Sequence, residues 1–417
     1  MVAPNDTSSS SAQVTSDESE DVLLAPPIST KLVDIRQDMR RRPKGYANYK
    51  ILQKIGEYTV TDRDLVPARV KYLNNKEALA RGLDDVSYDL NQGFDAFMEK
   101  EKDKYERRQL EENNVLLMIP RLTLEIKSIS LKADERLDNF WKWIIMQAPK
   151  GSSVKEVLHN PSKRTKKAFL VLHDADIVCC RGLLKRIART AYTPIEVWEF
   201  SAIRFDNVVF LCEQELYPSW HTESRNLLPY WYRGLKFKQH MTVNKLNEEP
   251  RTDDPVTREE HVVVFCSTLG PECGNPLKLV FNGSIDAIKA GGEMVELRTR
   301  CCAQKHHFAK DFSSYLQSFL VGIADTYVGY HNGDGLVTKV EHVPAWTLPY
   351  SQGNNAFANP CMHLLSNVLN SIRSALQNDG EACKVNYAAS EIAIHPASLA
   401  DVDFFQNTKF REHFGLL

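Results

Sequence analysis

No apolar run in this chain is long enough to cross a bilayer, no secretory leader opens it, and its formal net charge is only −2. A spanning helix needs about 20 consecutive apolar residues, so no membrane role is expected. Without a global basic field, any binding of nucleic acid has to come from local clusters of charge. C-x-x-C spacing is also missing from the nine cysteines. Their odd number and two adjacent pairs, Cys179-Cys180 and Cys301-Cys302, argue against a disulfide framework and for reduced thiols of the cytosol or nucleus. Cys301, Cys302, His306 and His307 have zinc-ligand chemistry, but adjacent pairs supply tetrahedral geometry poorly, so no zinc site is expected. Neither an internal repeat nor an interior linker is visible. With 43% hydrophobic and 25% charged residues, the 417 positions suit one large domain with a sizeable core.

Residues 1–30 are rich in Ser and acidic residues and are expected to form a disordered tail, leaving 31–417 as the domain. Arg40-Arg41-Arg42-Pro43-Lys44 reads either as a nuclear-import signal or as a solvated patch before the first strand. Short strands are predicted within 49–73, a charged exposed helix over Asp95 to Met118, and an apolar helix from Leu137 to Met146 with Trp141 and Trp143 in the core. An amphipathic helix follows Cys180, with Leu183, Leu184 and Ile187 on one side. Glu196 to Arg204 and Asn207 to Glu213 alternate as an antiparallel pair, whose Trp198, Phe200, Phe205 and Phe210 suit sheet packing better than base stacking. His173, Asp174 and Asp176 could suggest acid–base chemistry, but a polar loop before a helix explains them equally well. Further helices are predicted over Leu227 to Met241 and Met362 to Gln377. The fold class is α/β, with twisted mixed sheets flanked by helices.

The chemistry concentrates in two strand-like runs, Leu277 to Lys289 and Met294 to Cys301, joined through Ala290-Gly291-Gly292 as a predicted hairpin. Strand side chains alternate faces, so Ser284 shares a face with Asp286, and Glu296 with Arg298. A helix over Asp311 to Ile323 follows and carries Gln317. An acid on one strand, an acid-x-base on the next and a polar helix residue form the layout of a metal-dependent phosphodiesterase. There the acids hold hard cations and the base steadies developing charge. Solvated strand residues are the plainer reading of the same positions.

Several motifs in order resemble the DXO family of decapping exoribonucleases. Arg41-Arg42-Pro43 and the run from Tyr88 to Asp95 (YDLNQGFD) are similar to two of its segments, and Arg181-Gly182-Leu183-Leu184 resembles its RNA-contacting arginine motif. Arg233 to Lys238 (RGLKFK), Gly283 to Asp286 (GSID), Val295 to Thr299 (VELRT) and Gln317 to Leu320 (QSFL) resemble the segments that build its site. The resemblance implies a nuclease-like hairpin core and a remnant site of Asp286, Glu296, Arg298 and Gln317. It also shows departures: Lys238 and Ser284 stand where the family has metal-site glutamates, and Arg298 where it has lysine. The family's site sums to about −3, whereas Asp286 and Glu296 against Lys238 and Arg298 sum to about zero. Lys238 is therefore expected to pair with Asp286 or Glu296 and to fill a cation's place.

On this resemblance the chain is expected to bind RNA 5′ ends through Arg181, Lys236 and Lys238 without cleaving them, shielding transcripts from decapping, 5′-to-3′ decay or termination. A noncatalytic family member acting at piRNA-producing loci is the precedent. The expected cofactor is none, or weakly held Mg²⁺ or Mn²⁺ on Asp286 and Glu296. The expected location is the nucleus, with the cytoplasm as the other choice, and the expected protein partners are chromatin, termination or exonuclease factors. The alternatives are an active metal-dependent decapping pyrophosphohydrolase or 5′-to-3′ exoribonuclease, and a scaffold whose outer surface recruits partners.

Overall fold

The computed structural model describes residues 31–34, 48–61, 65–74, 88–100, 135–147, 174–193, 197–205, 207–213, 224–271, 274–302, 308–347, 358–388 and 390–398. The tail, the Arg41-Arg42-Pro43 motif, His173, His306 and His307 lie outside these residues, as does most of the charged helix predicted after Asp95. Two mixed sheets organise the rest. The larger has ten strands in the spatial order Lys31–Asp34, Glu391–Ala397, Ala382–Ala388, Trp198–Phe205, Val208–Glu213, Ile177–Cys180, Leu277–Ile285, Glu260–Gly270, Asn48–Val60 and Leu65–Val66. Its neighbours are antiparallel except around Ile177–Cys180, which runs parallel to both strands beside it. Seven strands form the smaller sheet, in the order Tyr88–Asp89, Leu336–Pro344, Asp325–His331, Met294–Cys301, Ala287–Ile288, Tyr72–Leu73 and Thr242–Val243.

Central strands of the large sheet are covered on both faces, and their near-continuous apolar sequences reflect it. Along Leu277–Ile285, Leu279 and Phe281 point into one core cluster while Val280 points into another. The first cluster packs the sheet beneath the helices Arg181–Arg189, Phe308–Phe319 and Ala358–Ala375. The second covers the opposite face with the helix Glu135–Gln147, whose Trp141 and Trp143 are buried as expected. Trp198, Phe200 and Phe210 are buried sheet residues, and Phe205 packs against the core. A third cluster seats the helix Ser224–Met241 on the small sheet through Phe237 and Met241. That seating needs Gly329, where an added Cβ would lie 2.4 Å from the Phe237 ring.

The predicted hairpin is shorter than its sequence suggested. Leu277–Ile285 pairs with Glu260–Gly270 in the large sheet, and only Ala287 and Ile288 pair with Val295 and Met294 in the small one. The chain changes sheets at Asp286. Both halves are apolar and strand-forming, so local sequence did not reveal that they belong to different layers.

Candidate functional site

Asp286 stands at the junction of the two sheets, and the other polar groups gather on it from four elements. Glu296 and Arg298 share one face of Met294–Cys301, two residues apart, as the strand period requires. Lys238 comes from the last turn of Ser224–Met241, one residue beyond the buried Phe237. Gln317 comes from the helix Phe308–Phe319. Arg181 opens the helix that follows Ile177–Cys180, a strand in parallel register with Leu277–Ile285 that places Cys180 opposite Asn282. The arginine therefore lies over the next residue, Gly283, where an added Cβ would sit 3.1 Å from Arg181 Cδ.

Each acid is already engaged. Lys238 Nζ lies 2.5 Å from Asp286 Oδ1, and Asp286 Oδ2 accepts the Leu297 N–H at 2.8 Å. Arg298 Nη2 donates to Glu296 Oε1 at 3.1 Å, and Gln317 Nε2 donates to the same oxygen at 2.7 Å. Arg181 Nη2 reaches Ser284 Oγ at 3.3 Å. Lys185, one helical turn beyond Arg181, donates to Gln317 Oε1 at 3.2 Å. Because lysine only donates and a carboxylate only accepts, this chain of contacts sets which end of the Gln317 amide faces which neighbour.

Burial decides the electrostatics. Glu296 is 5% exposed, and burial followed by repulsion from Asp286 pushes its carboxyl above the ordinary range despite Arg298, Arg181 and Lys238. Burial would lower the Lys238 ammonium, but the charge and hydrogen bond of Asp286, aided by Glu296, hold it above its usual value. Lys238 keeps 40% of its side chain exposed while being ringed by protein, as a group standing in a cleft would be. Solvent therefore screens its pair with Asp286 and reduces what the ion pair adds to stability. Burial, then repulsion from Arg181, Arg298 and Arg189, lowers Lys185 to about 8.

These residues do not fit a divalent cation. Mg²⁺ requires near-octahedral oxygen ligation at ~2.0–2.1 Å. Of the four oxygens on Asp286 and Glu296, only the buried Glu296 Oε2 lacks a hydrogen-bonded partner. Ser284 is a neutral hydroxyl that already meets Arg181, and Lys238 Nζ stands against the carboxylate a metal would use. No group of three or more His, Cys, Asp or Glu poised for a metal occurs among the described residues, which include Cys301 and Cys302.

The structure thus brings together Asp286, Glu296, Arg298, Gln317, Lys238 and Arg181, but not Lys236. That lysine is 2% exposed and donates to the Thr252 carbonyl at 2.5 Å. Positions two apart on a helix point to different faces, so Lys236 and Lys238 cannot share the site, and the expectation that Lys236 contacts RNA there is corrected. Lys185 was missed, although its spacing of four from Arg181 on an amphipathic helix was a readable signal. Asp174 makes an exposed pair with Lys278 at 2.5 Å, while Asp176 pairs with Arg373 at 2.9 Å and accepts the Lys278 N–H at 2.8 Å.

Acid at the sheet junction, Glu-x-Arg on the next strand and glutamine on the following helix place the chain among nuclease-fold proteins. A family model described as RAI1-like PD-(D/E)XK nuclease matches residues 126–410, and the chain belongs to that family. "Decapping nuclease dom-3" of Caenorhabditis elegans is 29% identical over 356 residues, covering 82% of this chain and 77% of the worm protein. The human "Decapping and exoribonuclease protein" is 27% identical over 226 residues, 49% of this chain and about half (55%) of the human one. Among solved structures, Candida albicans Rai1 in complex with pU5-Mn²⁺ superposes with a TM-score of 0.64 at 14% identity, covering 93% of this chain and 99% of that one. Scheffersomyces stipitis Rai1 with (3′-NADP)⁺ and calcium ion gives 0.63 at 13% identity, covering 95% and 100%. These likenesses establish the single α/β fold with mixed sheets flanked by helices.

Proposed function

We propose that this protein has lost the metal-dependent nuclease chemistry of its family and works by binding RNA 5′ ends, protecting transcripts from decapping, 5′-to-3′ decay or termination. The observation that carries the reading is the 2.5 Å pair between Lys238 and Asp286, which sets an ammonium against the central acid of the site. Arg298 pairs with Glu296 as a cation, and the Gln317 amide donates to the same carboxylate oxygen. Contacts to phosphate need only point charges and forked donors, so they survive the loss of metal. Production of nuclear small-RNA precursors, with chromatin, termination or exonuclease factors as partners, is the setting we propose.

The names of the relatives favour a second reading, an active decapping nuclease working with Asp286 and Glu296. The two are separated by incubating capped and 5′-monophosphorylated RNA with the protein in Mg²⁺ and in Mn²⁺. We expect no hydrolysis above background and metal-independent retention of the RNA. Robust turnover that disappears in Asp286→Ala would promote the enzyme.

A further inference from the structure

Two thiols on neighbouring strands of the large sheet stand level with each other, outside the acid–base cluster. The strand Ile177–Cys180 runs parallel to Val208–Glu213, with Ile177 level with Val209 and Val178 level with Phe210. Carrying that register two residues further sets Cys180 level with Cys212. Side chains alternate faces along a strand, so both thiols fall on the face that Val178 and Phe210 occupy. The packing agrees: Cys180 and Cys212 each lie against the core cluster that contains Val178 and Phe210. Ile177, Cys179, Val209 and Leu211 belong to the cluster on the other face. Neither Cys180 nor Cys212 is in a disulfide, and both are partly exposed, unlike the buried Cys179.

Neighbouring strands lie ~4.7–4.9 Å apart, inside the Cα separation of ~4.4–6.8 Å that a disulfide spans. A disulfide also holds its Cβ atoms at ~3.5–4.5 Å, so closing one draws the strands together slightly. Cys180 ends its strand and Cys212 is the penultimate residue of its own, so that movement falls at the strand ends.

We propose that Cys180 and Cys212 are an oxidation site, which hydrogen peroxide converts into a reversible disulfide across these two strands. Cys180 reacts first. It stands at the N-terminus of the helix Arg181–Arg189, whose first turn carries no acid, and a helix N-terminus supports the thiolate that attacks peroxide. Its sulfur takes one peroxide oxygen, the O–O bond breaks, and hydroxide leaves, giving a sulfenic acid. The Cys212 thiolate then attacks that sulfur and expels the hydroxyl as a second hydroxide. The two thiol protons turn both hydroxides into water. Two thiols and one peroxide thus give one disulfide and two waters, the sulfurs oxidised and the peroxide oxygens reduced. The bond ties the residue before Arg181 to Val208–Glu213, so the helix start that lies over Gly283 gains a covalent anchor from a second strand. Partial exposure leaves the bond open to thiol reductants.

The test uses the full chain, reduced with dithiothreitol, freed of it and treated with hydrogen peroxide. Tryptic digestion without reduction is then read by mass spectrometry. We expect a linked pair of peptides carrying Cys180 and Cys212, two hydrogens lighter than their sum and lost again on adding dithiothreitol. It should be roughly tenfold more abundant than any other cysteine pairing, because geometry selects the partners. Trypsin leaves Cys179 and Cys180 on one peptide, so variants assign the sulfur. Cys180→Ser and Cys212→Ser should each abolish the link, and Cys179→Ala should keep it. The two serine variants, at partly exposed positions, decide the matter if Cys179→Ala does not fold. No linked peptide, a spread of pairings without preference, a link that survives Cys180→Ser, or oxidation that runs on to sulfinic acid at Cys180 each overturns the site.

Discussion

Adding two acids beside Asp286 and Glu296, at the positions where the resemblance to the DXO family implies glutamates, should create a cation site where the present residues fit none. The perturbation is Lys238→Glu combined with Ser284→Glu. Four cations, Arg181, Lys185, Lys238 and Arg298, now face two carboxylates, Asp286 and Glu296, an excess of two positive charges. Reversing Lys238 removes two units and the serine change a third, which brings the cluster to one negative charge. Two unit charges ~4 Å apart interact by ~4 kcal/mol at an effective dielectric near 20, and a divalent ion doubles that. Two facts reduce the gain. Lys238 is 40% exposed, so solvent screens the exchange, and Arg181 Nη2 already stands 3.3 Å from Ser284 Oγ, where it would draw on the new carboxylate. Retaining even a third of the gain leaves ~3 kcal/mol, or about a hundredfold in metal affinity. The assay is calorimetric titration of Mg²⁺ and Mn²⁺, with the metal-dependent rise in Tm as an independent readout, since a ligand that binds only the native state stabilises it. A double variant that melts cooperatively and still binds metal no better than the parent would refute the charge argument and show that the cleft has been reshaped beyond these two positions.

Two further outcomes test other parts of the structure. Lys236→Met should destabilise the protein by ~1–3 kcal/mol in a urea melt while leaving binding of 5′-phosphorylated RNA intact, because the lysine satisfies the Thr252 carbonyl and does not face the site; weakened RNA binding at unchanged stability would contradict this. His240, stacked 4.4 Å from Tyr88, is lowered to about 4 by burial and then by Lys236. Its unfolded form takes up a proton near pH 6.5 and its folded form only near 4, so stability should fall as pH drops through that window. Urea melts of His240→Gln across the same range should show a shallower decline than the parent, and parallel curves would rule the histidine out as a cause.

Much of the site could be read before any fold was known, because its parts are local patterns. Glu296 and Arg298 are placed together by the strand period alone, and Gln317 sits in a helix whose apolar residues announce its buried face. The resemblance to the DXO family put Lys238 among the acids of the site, its charge then called for Asp286 or Glu296 as a partner, and the structure supplied Asp286. The hairpin was overextended because strand-forming residues on either side of Asp286 look alike whether they stay in one sheet or change to another. Lys236 was misplaced for a related reason: a motif carries both lysines together, while the helix turns them to different faces.

The amino-acid sequence by itself determined most of the helices and strands that carry the site, though not where the chain changes sheets at Asp286, and it determined that Glu296 and Arg298 share one strand face. Periodicity and residue chemistry are properties of short stretches, so they are visible without knowing what lies opposite. Only the tertiary structure decided that Arg181 lies across Gly283, more than a hundred positions away in the chain, and that Lys185 reaches Gln317 from another helix. The unmatched positive charge of the cleft arises from those long-range contacts. A charge's partner is set by packing in three dimensions, and no local pattern records it.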